Sequence, residues 1–420
     1  MKNIALFVID CLRYDDSKIL ENALNLSAQK LGVDKLDVFE SCYSTAPWTY
    51  PSTNSILTGR YPHKHGAIQF GDYKYSVTKP WPNPLCADTN NIFESLSSKG
   101  YQTIGISTIF WALNPQCDYG ELDHLIRSEK QDLEYRNIPA SWVVDEAVDV
   151  IEKIDREPWF LYAHLADLHR PYDLQIAQDH SAEKIAILEG MESWDLRVYF
   201  DNKQQLSLFK RNKRALYRAL ILYVSEQITR FIEFLDSKGQ LNNTTVLISA
   251  DHGEEFWNHE EEQQAYYNCG YRSESDWQLG FGHGHTLYEE LIHVPLMVLN
   301  SPTDVETDDY DQPVSHVDIF PTIMHILNFD IPDNLDGFSI YSTDMHENIL
   351  SEAILYGFEK KSYISKEQKV IFAPHEGIIE IFDRASDPEE KSPERLKFSN
   401  DDGRIERLKK QVGYHDFNAI

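Results

Sequence analysis

The stretch Ala46-Pro-Trp-Thr-Tyr-Pro-Ser-Thr-Asn-Ser-Ile-Leu-Thr-Gly-Arg60 carries the densest signal in the chain. Pro51 and Ser52 suit the first turn of a helix, where proline's missing N–H leaves no bond unmade, and Gly59 suits the residue that ends one. Thr49 then stands just before the first turn. A hydroxyl there lies in the field of the helix N-terminus, which favours an anion. Taken alone, Thr49 is an N-cap and nothing more. A threonine hydroxyl becomes a useful nucleophile only when a base or a metal helps to ionise it.

Two further segments offer that help. Asp10 directly follows the apolar run 4–9, and Asp251-His252-Gly253 closely follows the run 244–249. In open α/β sheets, ligands collect at the carboxyl ends of strands. Either aspartate by itself would serve as a helix cap. Two carboxylates and an imidazole leaving two strands in this way instead point to one shared metal ion, which would lower the pKa of a neighbouring hydroxyl.

The rest of the chain fits a sheet of that kind. Short β-rich runs at 4–9, 103–107, 159–164, 244–249 and 294–299 alternate with helical stretches at 91–98, 141–154 and 206–237. The runs are nearly continuous in hydrophobicity, as strands buried on both faces are. The alternation predicts a doubly wound, mostly parallel α/β sheet. After about residue 345 the segments 362–364, 369–372 and 378–382 are short and separated by polar turns. They predict a small antiparallel subdomain over 346–420, closed by a final helix, beside a catalytic domain over 1–345. The acidic, tyrosine-rich stretch 260–276 and the stretch 175–202 are expected to be surface loops, the first a rim or lid at most.

Composition narrows the partners. The formal net charge of -29, from 39 basic and 68 acidic residues, repels nucleic acid and anionic lipid alike. No run of about 18 apolar residues occurs, so no membrane span is expected. Five scattered cysteines (Cys11, Cys42, Cys86, Cys117 and Cys269) form no CxxC pair. They fit reduced thiols in the cytoplasm, and the opening run 4–9 is too short for a signal peptide. Cys11 is expected to point away from its neighbour Asp10 along a continuing strand and to pack as a small apolar residue.

The order of motifs along the whole chain resembles the sulfatase family of the alkaline phosphatase superfamily. Thr49-Tyr50-Pro51-Ser52-Thr53 and Leu57-Thr58-Gly59-Arg60 match the frame that carries the sulfatase nucleophile, followed by Tyr61-Pro62-His63-Lys64-His65-Gly66. Further matches are Val8-Ile9-Asp10, His164-Leu-Ala-Asp-Leu-His-Arg-Pro-Tyr172, Asp251-His-Gly-Glu-Glu255, His283-Gly-His-Thr-Leu-Tyr-Glu289 with Val294-Pro295-Leu296, and His316-Val-Asp-Ile-Phe-Pro-Thr322. Leu335-Asp-Gly337 and the span from Ile381-Phe-Asp383 to Asp387-Pro-Glu389 complete the series.

The resemblance implies an alkaline-phosphatase-like fold and a single divalent metal held by Asp10, Asp251, His252 and the Thr49 oxygen. It implies that His169 contacts a non-bridging or leaving-group oxygen of the substrate, with His283 a second candidate for that role or for protonating the leaving group. His164, Asp167, His259, His285 and His316 are weaker candidates, including for a second metal.

Departures from the family pattern matter as much. Thr49 replaces the cysteine or serine that true sulfatases oxidise to formylglycine. Thr53 stands where they keep an arginine, and Gly105-Ile-Ser-Thr-Ile-Phe110 near the place of a lysine and a histidine. Cys11 replaces a second acidic residue, and His252 an asparagine. An imidazole ligand suits zinc or manganese better than calcium or magnesium. These differences shift the expected substrate from a sulfate ester to a small anionic phosphate ester, a diester first. Water would resolve a covalent threonyl intermediate. A sulfuric ester hydrolase without formylglycine, a phospho-group transferase and a non-catalytic binding protein stay open as alternatives, as does a homo-oligomer.

Overall fold

Residues Asn3–Ile9 form strand β1 with every residue buried, as an apolar run covered on both faces must be. The computed structural model describes residues 1–33, 36–68, 82–120, 122–127, 138–154, 158–189, 191, 203–259, 281–301, 312–356, 359–399, 403, 404 and 406. Strands β2 (Leu36–Tyr43), β3 (Gln102–Ser107), β4 (His124–Arg127), β5 (Trp159–Leu165) and β6 (Thr244–Ala250) follow β1. A two-stranded ribbon, β7 (Glu255–Phe256) with β8 (Phe281–Gly282), precedes β9 (His293–Leu299) and β10 (Val314–Ser315). The eight-stranded central sheet has the order β10-β2-β9-β6-β1-β5-β3-β4. Only β9 runs against its neighbours β2 and β6.

Helices α1 (Lys18–Leu31), α2 (Thr49–Thr58), α3 (Pro62–His65), α4 (Ile92–Ser97), α5 (Ala140–Lys153), α6 (Leu174–Asp179) and α7 (Lys203–Ser237) connect the strands. Parallel pairing puts Phe7 opposite Ala163, and Ile4 opposite Phe160. Side chains alternate along a strand, so Phe7 and Phe160 project from opposite faces of the sheet. Phe7 meets Phe231 of α7 at 5.1 Å between ring centroids, and Phe160 meets Phe93 of α4 at 5.5 Å. Helices therefore cover both faces, and the expected doubly wound α/β architecture is present. Helices α1, α5 and α6 all pack on α7.

The expected runs at 4–9, 103–107, 159–164, 244–249 and 294–299 all became central strands. The helix expected at 91–98 is α4, with Asn91 and Glu94 forming a reciprocal capping box. Beyond residue 345 an antiparallel sheet is present: β11 (Ile349–Ser351), β12 (Lys361–Ile364), β13 (Gln368–Ala373), β14 (Ile378–Asp383) and β15 (Glu394–Lys397), in that order. The expected final helix falls almost wholly outside the described residues. So do all of loop 260–276 and much of 175–202.

The small sheet is tied to the segment that leads into β9. Lys369 of β13, with no exposed side-chain surface, places Nζ 3.1 Å from Glu289 Oε1 and 2.9 Å from Glu390 Oε1. Removing one partner of a buried ionic group leaves the others uncompensated. Lys369→Met is expected to destabilise the fold by about 3–5 kcal/mol, read as a lower urea midpoint at pH 7. An unchanged midpoint would show that the carboxylates find another cation.

Candidate active site and metal centre

Strands β1 and β6 are adjacent and parallel, with Ile9 opposite Ala250. Asp10 and Asp251 consequently leave the sheet side by side at its carboxyl end. The Asp10 amide donates to Leu165 O of β5 at 2.8 Å, and His164 stands opposite Val8 on the same strand. Asp10, Asp251, His252, Glu254 and His164 are wholly buried.

Helix α2 presents Thr49 to this group. Thr49 is the first residue of the helix, and Trp48 occupies the N-cap without a side-chain cap bond. The N-cap reading of Thr49 is thereby corrected: the chain turns one residue earlier, and the hydroxyl is left for the site. Thr49 Oγ1 lies 3.2 Å from His252 Nε2. The helix is seated by Ser52, whose hydroxyl donates to Asp251 O and lies 3.0 Å from His316 Nδ1. Ser44 Oγ donates to the same carbonyl at 2.7 Å.

The backbone sets the His252 tautomer. Nδ1 lies 2.8 Å from Gly253 O, which can only accept, so the proton resides on Nδ1. The Nε2 lone pair faces Thr49 Oγ1, Asp10 Oδ1 at 3.4 Å and Asp251 Oδ2 at 3.5 Å. Gly253 is required here: a Cβ would lie 2.0 Å from Glu290 O, so only glycine lets the chain pass.

Burial pushes the Asp10 carboxyl well above its ordinary range, and the nearby charges of Asp251 and Glu254 add to this. Burial also raises Asp251, yet His252 and His164 with the His252 amide outweigh it and hold that carboxyl low. Burial lowers His252 to about 4, against the pull of Asp251. Asp10 Oδ2 and Glu254 Oε2 have no hydrogen-bond partner among the described residues. Buried carboxylate oxygens of this kind call for a cation. Ligand atoms of Asp10, His164 and Asp251 lie within 4.8 Å of one another, as do those of Asp10, Cys11 and His252. Two carboxylates, an imidazole lone pair and a hydroxyl suit a small divalent ion.

Both rim histidines adjoin this floor. His283 stacks obliquely near His252, with ring centroids 4.3 Å apart, and His169 lies 5.2 Å from His283. His283 Nδ1 is 3.1 Å from Glu254 Oε1. Burial raises Glu254, but His283, Arg170 and His169 prevail and bring it down to about 2. His169 Nδ1 lies 2.7 Å from Arg170 O, so its Nε2 carries the lone pair. Burial holds His169 down to about 3, and the neighbouring His283 adds to the effect.

Cys11 departs from expectation. Strand β1 ends at Ile9, and Cys11 adopts a left-handed backbone with φ 63°. Strand alternation no longer applies there, and the thiol turns inward to donate to Asp10 Oδ1 at 3.0 Å. Glu254 was visible within Asp251-His-Gly-Glu-Glu255, but nothing in the spacing distinguished it from Glu255. Of the weaker candidates, His164 and His316 adjoin the site. Asp167 instead accepts the Ala140 amide at 3.1 Å. His259 and His285 pair with Glu290 and Glu255 at 2.6 and 2.7 Å in a separate network. Thr53 donates to Thr49 O within its own helix.

The family profile named Sulfatase matches residues 2–329, and the chain belongs to the sulfatase family. It is a hydrolase of that family. An arylsulfatase of Clostridium perfringens (strain 13 / Type A) is 24% identical over 449 residues, spanning 92% of this chain and 89% of that one. A solved structure described in complex with its substrate D-glucosamine-2-N,6-O-disulfate superposes with a TM-score of 0.68 at 16% identity, covering 99% of each chain. A phosphonate monoester hydrolase from Silicibacter pomeroyi gives 0.64 at 17% identity, covering 100% of this chain and 96% of that one. At such identities the structural matches establish the fold.

His65 braces helix α2 from behind. Its Nδ1 accepts the Ala67 amide at 3.0 Å, while Nε2 lies 3.1 Å from both Ser55 Oγ and Pro51 O. Burial drives its pKa from 6.5 to about 3. A depressed folded-state value gives stability that is complete above pH 6.5 and is lost as pH falls towards 3. The unfolding free energy of the wild type should therefore fall more steeply across that window than that of His65→Gln, by up to about 1.4 kcal/mol per pH unit. Parallel curves would show that His65 accepts a proton without cost to the fold.

Proposed function

We propose that the protein hydrolyses phosphate esters, diesters in preference, with Thr49 as the covalent nucleophile. The contact between Thr49 Oγ1 and the His252 Nε2 lone pair, at the start of α2 and beside two buried carboxylates, carries this reading. Asp10, Asp251, His252 and Thr49 Oγ1 would hold one divalent ion, zinc or manganese before calcium or magnesium, which lowers the hydroxyl pKa and neutralises charge on the non-bridging oxygens.

The residues then divide the remaining work. Thr49 Oγ1, its proton released to solvent once the ion has lowered the hydroxyl pKa, would attack phosphorus as the bond to the leaving alkoxide breaks, aided by the α2 N-terminus, whose field favours negative charge. Glu254 fixes the His283 ring through Nδ1–H and sets a negative partner beside any positive charge that forms on it, the arrangement a leaving-group acid needs. His169, its ring fixed by the Nδ1 bond to Arg170 O, stands beside His283 where it can contact a substrate oxygen. Threonine supports this chemistry and opposes the formylglycine route, because oxidation of its carbinol carbon would give a ketone. Free thiols at Cys11, Cys42, Cys86 and Cys117 fit a cytoplasmic location. No helix among the described residues is long and apolar enough to cross a membrane.

A second reading, sulfate-ester hydrolysis without formylglycine, draws support from the name of the Clostridium perfringens relative. Charge does not separate the two, since a sulfate monoester and a phosphodiester each carry one negative charge. It separates the diester from a doubly charged phosphomonoester, and the threonine at position 49 is what opposes the sulfatase route. A single ion with no cation at Thr53 or across Gly105-Ile-Ser-Thr-Ile-Phe110 suits a singly charged diester centre, and phosphoryl transfer asks mainly for positioning and charge neutralisation.

Thr49→Ala is expected to lower turnover by at least about 10³-fold. The fold should survive, since a lost hydrogen bond of this kind costs only about 0.5–1.5 kcal/mol. A near wild-type rate would remove Thr49 from the mechanism. At equal metal loading, kcat/KM should be highest for an aryl phosphodiester among diester, phosphomonoester, phosphonate monoester and sulfate substrates. A maximum at the sulfate ester would favour the second reading.

A further inference from the structure

Position 11 is where the family pattern places a second acidic residue beside Asp10, and this chain puts a thiol there. That thiol is held in place from two sides. The Cys11 amide donates to Asp251 Oδ1 at 3.3 Å, and its carbonyl accepts the Tyr217 hydroxyl of α7 at 2.8 Å. The same Tyr217 oxygen accepts the Arg13 amide at 3.0 Å. These bonds support a left-handed backbone at a residue with a Cβ, a conformation that costs free energy unless its surroundings enforce it. The result aims Sγ into the floor of the site. It lies 3.0 Å from Asp10 Oδ1 and 3.6 Å from His283 Nδ1, with no exposed surface.

A bland role would make Cys11 a hydrogen-bond donor to Asp10 and nothing else. Two observations exceed that role. Ligand atoms of Asp10, Cys11 and His252 lie within 4.8 Å of one another. Asp10 Oδ2, on a wholly buried side chain in the same cluster, has no hydrogen-bond partner among the described residues. A cation between these groups would satisfy the orphaned oxygen and be reached by sulfur as well.

We propose that the Cys11 thiolate is a ligand of the divalent ion held by Asp10, Asp251 and His252, and that it makes the centre select zinc over manganese, magnesium or calcium. The inference rests on the metal reading given above. Binding exchanges the S–H bond for a sulfur–metal bond, and the thiol proton is released to solvent. Selectivity follows from ligand softness. Thiolate prefers zinc, whereas an acidic residue at the same position would suit the harder ions.

The test begins with the full-length wild-type protein stripped by chelator and reloaded with zinc. Elemental analysis comes first, on the wild type and on Asp251→Ala. X-ray absorption at the zinc edge should then show one sulfur at about 2.3 Å beside nitrogen and oxygen neighbours at about 2.0–2.2 Å. Cobalt-loaded protein should show a near-ultraviolet thiolate-to-cobalt charge-transfer band, absent in Cys11→Ser. The ratio of zinc to manganese affinity should fall at least about 10-fold in Cys11→Asp. A shell of nitrogen and oxygen alone, in protein whose zinc is lost with Asp251→Ala, would overturn the role of Cys11 and leave the metal site standing. Retention of no zinc by the wild type, or full retention by Asp251→Ala, would overturn the metal reading and this inference with it.

Discussion

Two carboxylates, Asp10 and Asp251, are carried to one point because β1 and β6 pair in parallel with Ile9 opposite Ala250. Neither has exposed surface. Like charges in a medium of low dielectric constant repel strongly, and burial without a partner costs more still. The fold answers with positive or polarisable groups from many directions: His164 from β5, His252 from the turn after β6, and the Cys11 thiol. The opposite shifts of the two aspartates follow from unequal shares in that response. Asp251 Oδ1 accepts the amides of His252 and Cys11 and its Oδ2 faces two imidazoles, whereas Asp10 accepts the thiol and faces one imidazole. The Oδ2 atom of each carboxylate has no hydrogen-bond partner among the described residues.

Helix α2 is fixed by the same constraint. Asp251 contributes its carboxylate to the site and its carbonyl to Ser52 and Ser44, so one residue positions both the charge and the helix that faces it. All ten residues of α2 are buried, which leaves the helix no solvent face along which to slide. Gly253 allows the chain after His252 to pass against the Glu290 carbonyl. The ring of His252 then takes its proton position from the Gly253 carbonyl. The direction of the Nε2 lone pair is thus a property of the backbone.

Much of this was legible in the sequence, and the reasons are local. Strands buried on both faces announce themselves as apolar runs, and Asp10 and Asp251 sit directly at their ends. The Pro51–Gly59 frame located α2 to within a residue. What stayed hidden depended on distant partners or on broken periodicity. Strand β2 carries Asp37 and Glu40 and a bulge between Phe39 and Cys42, so its alternation is interrupted. Cys11 was misread because its backbone reverses the side chain, and the bond supporting that reversal comes from Tyr217, 206 residues away. No pattern around position 11 encodes such a contact.

The C-terminal sheet, read from sequence as a small subdomain beside the larger one, takes part in holding Thr49. The loop leading into α2 is paired to β11 and the segment after it: Glu352 N donates to Thr45 O at 2.8 Å, Ser351 Oγ donates to Ser44 O, and Trp48 Nε1 donates to Ala353 O at 2.7 Å. Glu352 is itself wholly buried between His63 Nδ1 at 2.7 Å and Lys361 Nζ at 2.8 Å. His63 belongs to the segment directly after α2. The turns at both ends of that helix therefore bond to a single strand of the small sheet and its flank. Support of this kind fixes the position of the Thr49 side chain, the condition under which a group can be held in a single geometry. Thr49 is therefore held from two directions, by Ser52 on the Asp251 carbonyl and by the small sheet through the turns at the ends of α2.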